Sequence, residues 1–219
     1  MLHYNALKYW HRQIALTAFG MLLSLPVFAH PHSFIDMQTT VESHDEQITG
    51  LRMQWTMDPL TSADLLYDAG DAAKGSEVWK KLAAEVMANV IGQHYFTEIY
   101  RDKQPIKYAS MPTEYHLSRS GNQAVLEFVL PLAHPQSLIG EPLQILTYDP
   151  SYYVDMSYQS ENAIKLATVV ASRCKTTLVT PKPSQDLQSY ALSLDKDDSP
   201  GEDMELGKQF AQRVTLQCR

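Results

Sequence analysis

Two stretches near the start of the chain alternate between apolar and polar residues, and this alternation most constrains the fold. The apolar or β-branched members are Ile35, Met37, Thr39 and Val41 in the first stretch and Leu51, Met53, Trp55 and Met57 in the second. Side chains of a β-strand point alternately to two faces, so a period of two predicts strands with one covered face. Polar residues at 45–47 supply a turn between the stretches. The sequence therefore predicts an amino-terminal β-hairpin.

Further strands are predicted along the rest of the chain. Apolar runs at residues 124–130 and 143–148 are typical of central strands, and residues 152–158 predict another. A last strand is predicted at residues 212–218. The chain is thus mainly β.

Helical spacing interrupts this pattern in the middle of the chain. Ser76 is placed to cap a helix and Gly92 to end it. The apolar residues that recur at helical spacing between them are Trp79, Leu82, Ala83, Val86 and Val90. Shorter helices are predicted at residues 60–67 and 185–194. Strands with a helical insertion predict an α+β fold, a β-dominated, sandwich-like domain.

Cys174 and Cys218 are the two cysteines of the chain, and neither belongs to a Cys-x-x-Cys redox motif. In an oxidising compartment they would pair, closing a loop of about 45 residues that contributes up to about 4 kcal/mol of stability. Such a bridge would tether a carboxy-terminal extension over residues 181–219. Two thiolate ligands of a metal remain the alternative.

The first 29 residues have the three zones of a secretion signal. Lys8 and Arg12 form a basic start, an apolar segment runs over residues 14–27, and Val27 and Ala29 are the small residues before a cleavage point. The apolar segment is shorter than the roughly 20 residues of a membrane-spanning helix. We expect export by the general secretion route and a mature domain over residues 30–219.

The charge of the mature chain excludes some partners. Loss of Lys8 and Arg12 leaves 16 basic against 25 acidic residues, a net charge of −9. An acidic chain without a basic cluster is not expected to bind nucleic acid. The catalytic motifs of serine hydrolases, nucleotide-binding loops and His-Glu-x-x-His metalloproteases do not occur. No catalytic residue is predicted.

A pair of histidines follows the predicted cleavage point. In an extended segment His30, His32 and Asp36 share one face, because side chains recur on a face at every second residue. Two imidazoles and a carboxylate are suitable ligands for zinc, nickel, cobalt or copper. The sequence therefore predicts a metal site with His30, His32 and Asp36 as ligands.

A mature amino terminus at His30 adds a second possible donor. Its α-amine has a pKa near 7.7 to 8.0, so protons are displaced at modest cost when a metal binds. Pro31 has no backbone N–H, which excludes a square-planar chelate of deprotonated amides. A brace formed by the amine and ring of His30 with one more histidine remains open; the candidates are His32, His94, His116 and His134.

A second cluster surrounds Asp149. Residues 148–153 read Tyr-Asp-Pro-Ser-Tyr-Tyr, and an aspartate before proline favours a turn. This segment is either a packed corner or, if it lies against the first strand, the source of a carboxylate from Asp149 for the metal. The sequence leaves both interpretations open.

With these residues in view, the chain resembles the periplasmic domain-of-unknown-function family DUF1007, often described as the periplasmic component of an uncharacterised ABC-type transport system. The motifs that carry the resemblance cover nearly the whole mature chain and are residues 30–36, 55–58, 95–97, 148–153 and 210–214 before Cys218. Members often have an acidic loop resembling a calcium site before the helix. Residues 67–74 are a degenerate form of it here, so calcium is not expected.

The resemblance implies metal handling, because family members are often encoded beside permeases of the nickel and cobalt efflux type. We therefore expect a non-enzymatic periplasmic accessory or binding protein of a metal transport system, with a divalent transition metal and a membrane permease as its partners. One alternative is a permease interaction subunit that holds no metal. The other is a copper enzyme that performs oxidative chemistry with a histidine brace.

Overall fold

The computed structural model describes residues 31–195, 198, 200–201 and 204–219 of the 219-residue chain. The predicted α+β, β-dominated sandwich is confirmed, and it is built from two sheets. The strands in chain order are β1 Ser33–His44, β2 Gln47–Met57, β3 Thr97–Arg101, β4 Gln104–Pro105, β5 Tyr115–Ser120, β6 Gln123–Ser137, β7 Leu143–Thr147, β8 Val154–Ser157, β9 Ile164–Leu166, β10 Cys174–Val179 and β11 Arg213–Cys218.

The first sheet has the strand order β5-β6-β2-β1-β8, and β9 also pairs with β1. The second sheet has the order β10-β11-β7-β3-β4. Apolar side chains of both sheets join one core, in which the rings of Trp55 and Phe128 meet edge to face at 4.9 Å. Trp55 is 1% exposed, as expected for an aromatic residue on the covered face of a sandwich.

The predicted amino-terminal hairpin is confirmed. Strands β1 and β2 are antiparallel, with Ile35 opposite Met57 and Val41 opposite Leu51. Asp45 and Glu46 form the turn with positive φ angles of 46° and 61°. Two such residues match the right-handed twist of the strands in a tight hairpin.

The predicted helical insertion lies between β2 and β3. Helix α1 spans Pro59–Ala69 and helix α2 spans Glu77–Gly92. The buried residues of α2 include Met87 in place of Val86, which is only half-buried. Ser76 occupies the position before α2, as predicted, but its side chain makes no capping hydrogen bond.

The strand predicted over residues 152–158 is shorter in the structure. Strand β8 begins at Val154, because the preceding residues turn: Tyr152 has a φ of 59°, and its N–H donates to the Asp149 carbonyl at 2.9 Å. Strand β8 runs parallel to β1, with Ser33 opposite Val154. Residues 149–154, named here the corner, therefore lie beside the start of β1.

The predicted disulfide between Cys174 and Cys218 is present and joins β10 to β11. Strand β11 also pairs with β7, so the end of the chain belongs to the second sheet. The short helices near this end are α3 Thr168–Ala171, α4 Gln185–Ser193 and α5 Leu206–Phe210. Helices α4 and α5 share a small apolar cluster that includes Tyr152 of the corner. Within the described residues, no helix is long and apolar enough to cross a membrane.

Candidate functional site

The start of β1 lies against the corner. The backbone N–H of His32 donates to the Tyr153 carbonyl at 2.9 Å, and the N–H of Ser33 reaches the same oxygen at 3.3 Å. The ring of His32 also contacts the ring of Tyr153, with centroids 4.8 Å apart. His32 is therefore held at a defined place beside Tyr153. His30 and the predicted cleavage point lie outside the described residues.

Strand β1 presents a covered and an open face, as the alternation predicts. Ser33, Ile35 and Met37 are buried, whereas Phe34 and Asp36 are exposed. Phe34 is 49% exposed and Tyr153 is 42% exposed, so aromatic surface surrounds this end of the strand. The open face thus combines aromatic rings with the carboxylate of Asp36.

A second carboxylate on this face, that of Asp155, was missed by the sequence reasoning. The parallel pairing of β1 with β8 places Asp155 opposite Phe34 and next to the pair of Asp36 with Ser157. Residues paired across neighbouring strands share a face, so Asp155 lies near Asp36. Burial, and then the charge of Asp36, raises the pKa of Asp155 above its usual range. The sequence gave no sign of this pairing, because β1 and β8 are separated by more than a hundred residues.

The two carboxylates have no cationic partner among the described residues. Asp36 accepts a hydrogen bond from the side-chain amide of Gln159, which is neutral. Within the described part of the chain, neither Asp36 nor Asp155 forms an ion pair with lysine, arginine or histidine. Their negative charge is therefore not compensated locally.

Asp149 lies in the corner and is 8% exposed. Its carboxylate accepts hydrogen bonds from the N–H of Ser151 at 3.0 Å, the hydroxyl of Ser151 at 2.9 Å and the N–H of Val154 at 3.0 Å. These bonds fix the path of the corner, and the corner in turn supplies the carbonyl that receives the N–H of His32. The structure thus places the Asp149 segment against the first strand and gives its carboxylate a holding role there.

Asp58 ties helix α1 to the same end of β1. Its carboxylate accepts from the N–H groups of Leu60 and Thr61 at 2.8 and 3.0 Å, and from the N–H of Phe34 at 2.8 Å. Burial opposes ionisation, but hydrogen bonds from Thr61, Phe34 and Leu60 outweigh it and lower the pKa of Asp58. The hydroxyls of Ser33 and Thr61 also bond at 2.7 Å. Asp58 therefore acts as a helix cap that anchors β1.

The other described histidines lie away from the start of β1. His44 is exposed beside Asp45 at the opposite end of β1, and the His116 ring contacts the Glu127 carboxylate on the far edge of the first sheet. His134 is exposed near the end of β6, and His94 lies in the turn before β3. Of the described histidines, His32 is the one that lies at the start of β1.

Within the described residues, the structure contains no cluster of potential metal ligands. Such a cluster would need three or more histidine, cysteine, aspartate or glutamate side chains close enough to hold one ion. The described residues do not include His30, the first of the predicted ligands. His32 directly precedes β1, and Asp36 lies four residues later on that strand, about 13 Å farther along the backbone at roughly 3.3 Å per residue. Asp155 on β8 lies beside Asp36.

Comparisons with known proteins give a family without an established function. The family model described as "Protein of unknown function (DUF1007)" matches residues 15–218. An uncharacterized protein of Haemophilus influenzae is 40% identical over 200 residues, which cover 91% of this chain and 96% of that relative. No solved structure matches.

Proposed function

The chain belongs to the family of proteins of unknown function DUF1007, and from that premise we propose that it is a non-enzymatic periplasmic accessory protein of a metal transport system. Residues 1–29 direct it to the periplasm by the general secretion route and are then removed. It binds one divalent transition metal ion, zinc, nickel, cobalt or copper, at the start of β1, and passes the metal to a membrane permease or reports its presence.

One observation carries this proposal: His32 is fixed beside an open face on which Asp36 and Asp155 have no cationic partner among the described residues. Imidazole and carboxylate are the donors that borderline divalent ions accept. A cation bound there would offset the repulsion between the two carboxylates. The donor set at this end of β1 therefore fits a transition metal.

His30 supplies the donors that complete the site in the proposal. Its imidazole and free amine stand two residues before His32, and Pro31 between them removes the competing amide chelate. His30 and His32 are the proposed direct ligands, and Asp36, about 13 Å from His32 along the extended backbone at roughly 3.3 Å per residue, contributes its charge. Asp149 stays a predicted ligand, and its hydrogen bonds to Ser151 and Val154 support a role in holding the corner.

The exposed rings beside the site favour a second candidate function. Phe34 and Tyr153 present apolar surface next to His32, and such rings are common in protein interfaces. In this alternative the same end of β1 contacts a permease and holds no metal. Both candidate functions use the surface at the start of β1, and they differ in whether a metal ion is bound there.

Calorimetric titration of the exported mature protein with zinc, nickel, cobalt and copper tests the proposal. We expect about one equivalent of metal, and loss of binding when His30→Ala is combined with His32→Ala. The matched control combines His44→Ala with His134→Ala, two exposed histidines away from the site, and should bind as the wild type does.

Unchanged binding in the His30 and His32 double variant would refute the assignment. No tight binding by the wild type, together with retained association with a permease, would favour the interaction subunit. Copper selectivity with reductant-dependent oxygen consumption would instead indicate the brace enzyme.

A further inference from the structure

The corner is held from two sides. On one side it receives the N–H groups of His32 and Ser33 at the Tyr153 carbonyl. On the other side it contacts helix α5: the N–H of Gly207 donates to the Pro150 carbonyl at 3.1 Å. The corner thus lies between the first strand and the last helix of the chain.

Gly207 is fitted closely to the corner. A Cβ atom added at this residue would lie 1.7 Å from the Asp149 carbonyl oxygen and 2.8 Å from its carbonyl carbon. Both atoms belong to the backbone, so no side-chain rotation can make room. A residue larger than glycine at position 207 must therefore move helix α5 or the corner.

An aromatic contact adds a second attachment of α5. The ring of Phe210 stacks on the ring of Tyr152 with centroids 4.1 Å apart and planes 15° from parallel. Leu206, which is fully buried, packs in the same cluster with Ala191 and Leu194. Helix α5 is thereby anchored and can resist movement of the corner.

The corner transmits such movement because it is internally braced. The Asp149 carboxylate holds the Ser151 and Val154 N–H groups, which flank Tyr152 and Tyr153. A shift at the Asp149 carbonyl is therefore carried to Tyr153, whose ring and carbonyl contact His32.

We infer that Gly207 and Phe210 are positioning residues for the amino-terminal site, acting through the corner on His32. Neither residue supplies a ligand. As far as metal affinity is concerned, this inference rests on the proposed function; the placement of the His32 ring does not depend on it. Supporting groups that orient a metal ligand typically contribute about 10–100-fold to affinity.

The full mature protein with Gly207→Ala tests the inference, and Gly92→Ala is its matched control. Gly92 is likewise a helix residue, the last of α2; it has no neighbour within 4 Å of an added Cβ and lacks a positive φ. The first readout is the nuclear Overhauser effect between the His32 and Tyr153 rings in metal-free protein. The second is the zinc dissociation constant.

We expect Gly207→Ala to weaken or remove the nuclear Overhauser effect between the His32 and Tyr153 rings. The zinc dissociation constant should rise about 10–100-fold. Gly92→Ala should change neither. Phe210→Leu keeps an apolar side chain without the stacked ring and should weaken the contact in the same direction, whereas Phe210→Tyr keeps the ring and should preserve it. If Gly207→Ala does not fold, the two Phe210 variants decide the outcome.

An unchanged contact between His32 and Tyr153 in folded Gly207→Ala, or in folded Phe210→Leu, would overturn the inference. It would show that the pairing of β1 with β8 alone fixes the ring. Failure of the wild type to bind zinc would refute the proposed function instead, and the ring contact in metal-free variants would still decide the role of α5.

Discussion

Carboxylates on the open faces of the two sheets have opposite surroundings. Glu98 on β3 accepts a hydrogen bond from the Tyr100 hydroxyl at 2.9 Å and faces the Lys208 ammonium at 3.2 Å. Burial opposes its ionisation, but hydrogen bonds from Tyr148, Tyr100 and Lys208 outweigh this and lower the pKa of Glu98. In the first sheet, burial and Asp36 raise the pKa of Asp155.

The difference distinguishes a carboxylate that stabilises the fold from carboxylates that are open to a ligand. Glu98 has its counter-charge within the chain, so its carboxylate joins β3 to helix α5. Asp36 and Asp155 have no such partner among the described residues. A cation bound from solution would supply the positive charge that Asp36 and Asp155 lack, as Lys208 does for Glu98.

Removal of the compensated charge should have the largest effect on stability. We expect Glu98→Gln to lower the free energy of unfolding at pH 7 by about 1–3 kcal/mol, because hydrogen bonds to a charged group are lost. Urea denaturation measures this. Glu85→Gln is the control, since Glu85 pairs with Lys81 on an exposed helix face at 3.8 Å and should cost less than about 0.5 kcal/mol. Equal losses in the two variants would contradict the assignment of Glu98 to the fold.

The contribution of Glu98 should also depend on pH. Its pKa is lowered in the folded state, so its stabilisation is present above the unfolded pKa near 4.5 and is lost as the pH falls through the folded value. The gap in stability between wild type and Glu98→Gln should therefore close in acid. Denaturation series at pH 7 and at decreasing pH below 4.5 check this, and a constant gap would oppose it.

A smaller loss is expected at the cap that anchors β1. Asp58→Ala should cost about 1–2 kcal/mol, because the variant loses the cap of α1 and the acceptor of the Phe34 N–H. Ser184→Ala is the comparison, since Ser184 caps α4 through the Leu187 N–H and, within the described residues, its side chain bonds to no strand. A larger urea-midpoint shift for Asp58→Ala than for Ser184→Ala is the expected result, and the reverse order would show that β1 does not depend on this cap.

The sequence predicts the individual strands and helices better than it predicts which of them lie side by side. Alternation at 35–41 and 51–57 predicted the first hairpin, and the two cysteines predicted the bridge that the structure contains. These features depend on local spacing or on a single pair of reactive residues. The strand at 152–158 was predicted too long, because the bonds of Asp149 that turn the chain do not show in an apolar pattern.

The candidate site was predicted only in its local part. The shared open face of Phe34 and Asp36 follows from a period of two within one strand. Asp155 and Gly207 come near the site through a parallel pairing and a helix contact over large separations, which no periodicity encodes. A glycine within a short helical segment is a signal of close packing, so a close contact at Gly207 could have been predicted. Its partner, the backbone of Asp149, could not.

The smallest effect is expected where charge is uncompensated. Asp155→Asn should leave the metal-free protein as stable as wild type at pH 7, or raise its stability by less than about 1 kcal/mol, because repulsion from Asp36 is removed. Urea denaturation of chelator-treated protein measures this. A loss comparable with that of Glu98→Gln would erase the contrast between the two regions.

Anomalous diffraction from crystals of the mature protein soaked in zinc tests the central claim most directly. We predict one strong anomalous peak at the start of β1, about 2.0–2.1 Å from a ring nitrogen of His32. A peak only elsewhere, such as between His116 and Glu127, or no peak in crystals in which residues 30–36 are ordered, would contradict it.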